Sequence, residues 1–130
     1  MNKFKRISYG KASSVPEDAS LLSVRQDFAL PEPVSKEIIQ NGLLQIFREL
    51  MPSVSMNGII PGHLKASVKE GSALLALSAT RSDAVDQTPN TDWTARKTLQ
   101  NFEIRINLLS IIPCSVSQEE LEEMLRHLAP

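Results

Sequence analysis

The sequence predicts an α+β fold: a small antiparallel sheet of three or four strands, two amphipathic helices on one face, and an extended N-terminal arm. Three observations carry this expectation. Two segments repeat apolar residues at helical 3–4 spacing, three others alternate at the period of a strand, and residues 1–34 do neither. The division that follows is an arm over residues 1–34 and a single domain over 35–130, with a long excursion at about 82–101. At 130 residues, one domain with its own core is the expectation.

The arm carries Lys3, Lys5, Arg6 and Lys11, then small polar residues, then Pro16, Pro31 and Pro33. Each proline fixes its own φ and pushes the residue before it out of the α region, so Pro31-Glu32-Pro33 reads as stiff and extended. One short strand is expected near residues 2–9. The first helix is expected from Lys36 to Met51, with Ser35 as its cap and Pro52 as its stop. Ile39, Leu43, Ile46 and Leu50 form its buried stripe. Gly42 inside that helix marks a close approach by another part of the chain.

Asn57-Gly58 and Pro61-Gly62 read as turns. Leu64, Ala66 and Val68 then alternate with polar residues, Glu70-Gly71 reads as a hairpin turn, and a return strand follows over about Ser72 to Thr80. Two readings fit the excursion. It forms either a long protruding hairpin, the favoured reading, or a short helix capped by Asp92. Phe102, Ile104, Ile106 and Leu108 give the plainest strand signal in the chain. The last helix opens on a capping box, Ser117-Gln118-Glu119-Glu120, with Leu121, Met124, Leu125 and Leu128 as its stripe. The nearest common architecture is a ferredoxin-like or related sandwich.

Composition narrows the function classes. Charged residues make up 22% and the net charge is −1, which argues against a broad basic field for nucleic acid. No apolar run approaches the ~18 residues of a membrane-spanning helix. The basic N-terminus has no apolar stretch behind it, so no secretory signal is read. Cytoplasmic residence is the expectation, and a virion component also fits.

The candidate chemistry is sparse. Cys114 precedes a helix N-terminus, where a thiol pKa falls, and His63 is the candidate base for it; a free cysteine at such a junction also simply packs. The ligand spacings of a metal site are not present, and neither is a GxxxxGK[ST] phosphate loop, so no metal or cofactor is expected. Lys3, Lys5, Arg6 and Lys11 are candidate nucleic-acid contacts, but acidic residues further along the arm cancel their charge. Phe4, Tyr9 and Phe28 of the arm and Trp93 of the excursion are the candidate interface residues, because aromatic side chains anchor interfaces.

The function expected is a non-catalytic structural or assembly subunit, for which a viral or phage component fits. Its partners are proteins, in a homo-oligomer or a larger complex, reached through the arm and the excursion. The alternative is a small ligand-binding protein or Cys-dependent enzyme using Cys114 and His63.

Overall fold

The computed structural model describes residues 20–112 and 115–129. The order is β1 (Ser20–Ser35), α1 (Lys36–Val54), β2 (Ile59–Glu70), β3 (Ala73–Arg81), β4 (Ala84–Pro89), α2 (Thr91–Ala95), β5 (Thr98–Ser110) and α3 (Gln118–Arg126). The strands form one sheet in the order β1-β5-β2-β3-β4, and every neighbouring pair is antiparallel. Two antiparallel steps leave β1 and β2 parallel with β5 between them, so β1-α1-β2 is a split β-α-β unit.

The expected fold class is corrected in three respects. The sheet has five strands rather than three or four, there are three helices rather than two, and residues 20–34 belong to the sheet instead of an arm. In β1, Leu22 and Val24 are buried while Ser23, Arg25 and Asp27 are exposed, which is a strand pattern. Gln26 interrupts it at an inward position, and the two prolines hide it further along. Pro31 and Pro33 lie where the pairing with β5 shifts register, between Ala29 and Val34, so the ladder loses little by their missing N–H groups. The expected strand near residues 2–9 lies outside the described residues.

β4 escapes the sequence for a different reason. Only Val85 in it is even half-buried, so it carries no apolar period. The excursion is therefore not a protruding hairpin. It returns along β3 as β4, turns through α2 and enters β5. Asn90, rather than Asp92, caps α2: its Oδ1 accepts from the Trp93 N–H at 2.9 Å and from the Leu74 N–H at 3.1 Å, and its Nδ2 donates to the Ser72 carbonyl at 2.8 Å.

One face of the sheet builds the core. Leu22 and Val24, Leu64, Ala66 and Val68, Ala73 through Ala79 at alternate positions, and Phe102 through Leu108 at alternate positions are all buried. Cross-strand register aligns them in rows, for example Val24, Ile106, Ala66 and Leu77. Ile39, Leu43, Phe47 and Leu50 of α1, Trp93 of α2, and Leu121 and Leu125 of α3 close the same cluster. α1 runs through Pro52 to Val54, because Val54 is fully buried and anchors the last turn. Ser35 makes no cap bond; its hydroxyl donates to Glu37 Oε1 at 2.7 Å instead. The capping box at Ser117 and Glu120 forms as read. Gly42 does mark a close approach: a Cβ there would stand 3.1 Å from Leu128 Cγ of the chain end that follows α3.

Gly62 is not a turn residue but lies within β2, where the pairing with β3 shifts register. Its φ is +148°, and a Cβ would lie 1.9 Å from the Leu109 carbonyl oxygen of β5. Any side chain there drives β2 off β5. Gly62→Ala is expected to destabilise by ~3 kcal/mol or more, at the upper end of single-substitution effects, read as the shift in urea midpoint at unchanged slope. Asn90→Ala should lower stability by about 1–2 kcal/mol, as loss of an N-cap does, measured in the same titration.

Candidate functional site

Three of the sequence-derived candidates, Phe28, His63 and Trp93, fall within the described residues. Phe4, Tyr9, Lys3, Lys5, Arg6, Lys11 and Cys114 lie outside the described residues. Trp93 is 2% exposed and covers the core beside β3, so it is not an exposed anchor. The Lys36 ammonium stands 5.8 Å from the Trp93 ring centroid and donates to its carbonyl at 2.7 Å, which ties α1 to α2. Phe28 is half-buried and stacks on Phe102, centroids 4.9 Å apart and planes 13° apart.

His63 sits on β2 opposite Leu109 of β5, five residues before Cys114 in sequence. Its Nδ1 is buried and unpartnered. Desolvation, first, and the nearby Lys65 ammonium, second, lower its pKa; a backbone hydrogen bond opposes them.

The remaining chemistry lies on the sheet face away from the helices. Five antiparallel strands present it, and among the described residues helices cover only the other side. On β1 and β5 the register sets Arg25 opposite Arg105 and Asp27 opposite Glu103. These two β1–β5 pairs are of like charge; on β2, Lys69 stands opposite Glu103 and Ser67 opposite Arg105. Glu103 bridges the two pairs diagonally: its carboxylate accepts from Arg25 Nε at 2.7 Å and from Arg105 Nε at 2.8 Å. The Arg105 hydrogen bond holds the Glu103 carboxyl below the ordinary carboxylate value, with Arg105, Arg25 and Lys69 charges adding and partial desolvation opposing. Ser23 donates to Asn107 Oδ1 at 2.7 Å in the next row. Lys65 and Lys69 extend the polar face onto β2.

At the end of this face a hollow of about 480 Å³ is lined by Asp27, Phe28, Lys69, Glu70, Asn101 and Arg105, among others. Glu70 is committed to structure there. It pairs with Arg96 at 2.6 Å and accepts from the N–H groups of Asn101 at 2.6 Å and Gln100 at 3.3 Å, beyond the last β2–β5 pair. Sequence reasoning missed the charge rows because Arg25 and Asp27 were placed in an arm. Their opposition to Arg105 and Glu103 is set by register between strands about eighty residues apart.

No family model matches the chain, and no curated protein matches it in sequence. Among solved structures it is similar to a Zn(II)-bound triple mutant of the YjiA GTPase, with a TM-score of 0.51 and 11% identity. The likeness covers 88% of this chain and 30% of that chain. At this identity it shows the fold alone. Among the described residues, no helix is long and apolar enough to cross a membrane.

His63 supplies a pH test of this face. A base whose folded pKa is depressed stays neutral in the folded state while the unfolded chain takes up its proton, near pH 6.5. Its contribution is therefore fully present above that pH and falls as the pH drops from about 6.5 toward the folded pKa. Chemical denaturation between about pH 5 and 8 should show this slope, and His63→Gln should flatten it.

Proposed function

We propose that this chain is a non-catalytic assembly subunit that meets its protein neighbours through its sheet. One observation carries the reading: the sheet is covered on a single side and ends in a 16-residue strand, β1, with a paired neighbour on one side only among the described residues. A strand edge of that kind presents backbone donors and acceptors to whatever strand meets it. The polar face beside it offers charges of both signs at fixed register, which selects a partner by complementarity more than by apolar area.

The packing of the excursion supports a contact surface elsewhere on the domain. β4 and α2 are folded onto their own domain, and Trp93 is spent on the core. A related fold making up under a third of a longer chain supports reading this one as a module that works beside others. Native mass measurement of the full chain as purified is expected to give multiples of 14.4 kDa or a stable complex with another protein. A 14.4 kDa species carrying a stoichiometric small molecule would overturn the reading.

A further inference from the structure

We propose that the outer edge of β1 docks a second copy of this chain, antiparallel and centred on Gln26, joining the two sheets into one. The proposal rests on the assembly reading and gives it a partner and a register.

Two antiparallel strands related by a twofold axis perpendicular to the sheet set residues equidistant from the centre opposite one another, pointing to the same face. With Gln26 at the centre, Arg25 of each copy faces Asp27 of the other on the polar face. Val24 of each copy faces Phe28 of the other on the helix side. Ser23 faces Ala29, and the seam ends before Pro31 and Pro33.

The need for such a neighbour is built into the single copy. Arg25 lies opposite Arg105, and Asp27 opposite Glu103. Like charges directly opposite one another are destabilising. Glu103 relieves the arginine row from the diagonal. Asp27 receives a 3.4 Å contact from Arg25 on its own strand, and the two side chains remain 68% and 57% exposed. In the twofold arrangement the cation row runs on into the other copy's anion row, in the order Arg105, Arg25, Asp27, Glu103. Each seam row then sets Arg25 of one copy against Asp27 of the other, with Lys69 closing the acidic end opposite Glu103.

Neighbouring registers do not achieve this. Centring on Arg25 or on Asp27 sets that residue against itself. Centring on Val24 or on Phe28 leaves Arg25 and Asp27 opposite uncharged residues. Charges on an edge strand usually keep other strands away. Here they alternate in sign two residues apart, so the edge repels most strands and complements its own copy.

The test uses the full chain and its charge variants in sedimentation or light scattering over ~1–100 µM, the range of a modest interface. The wild type is expected to form a reversible dimer of twice 14.4 kDa. Arg25→Asp makes the edge wholly acidic and Asp27→Arg makes it wholly basic, so each alone should associate at least ~10-fold more weakly. Mixed in equal amounts, the two variants should form a heterodimer, which also shows that both are folded. A wild-type assembly whose mass neither variant changes, or variants that fail to rescue each other, overturns the β1 seam and leaves the assembly reading standing. A monomer at every concentration overturns the β1 seam, and a monomer that also purifies without a protein partner overturns the assembly reading.

Discussion

The strand β5 is the constraint on which the rest of this structure depends. It is paired on both edges, with β1 and with β2, and it alternates Phe102, Ile104, Ile106 and Leu108 toward the helices with Glu103, Arg105 and Asn107 toward the opposite face. A one-residue slip of either neighbour would turn its apolar set into water. The whole sheet therefore inherits its sidedness from this strand. The described helices gather on the dry side, and the Arg25–Glu103–Arg105 ion network lies on the wet one.

Holding two neighbours against β5 demands local concessions. Gly62 lets the β2 backbone approach where any side chain would collide with the Leu109 carbonyl. Glu70, the last residue of β2, supplies acceptors to Gln100 and Asn101 beyond the last β2–β5 pair, so that part of β5 is not left with orphaned donors. Prolines 31 and 33 fall in the interval where β1 and β5 change register. Each device sits at the end of a ladder or at a break within one, where pairing would otherwise fail.

The same alignment that fixes the core fixes the charges. Once Val24 meets Ile106, Arg25 has to meet Arg105 and Asp27 has to meet Glu103. The like-charge rows are a consequence of packing on the other face. That makes them a frustration the single chain relieves in part, through Glu103 on the arginine row and Lys69 opposite Glu103.

How much was legible in the sequence follows from which residues carried a period. The sequence by itself determined the body of α1, the β2–β3 hairpin, β5 and the capping box of α3, because their apolar residues repeat at 3–4 or at 2; at the ends of α1 its signals misled, since Ser35 makes no cap bond and Pro52 lies inside the helix. It also marked Gly42 as a point of close approach. Only the tertiary structure decided that residues 20–35 are a strand, that 84–89 are another, that Asn90 caps α2, and that Trp93 is core. The reason is physical. β4 is held by backbone pairing to β3 with almost no side-chain burial, and β1 takes its identity from β5, so neither needs a pattern of its own. A candidate surface made of Arg25, Asp27, Glu103 and Arg105 exists only where two distant strands lie in register, and register is a property of the pair.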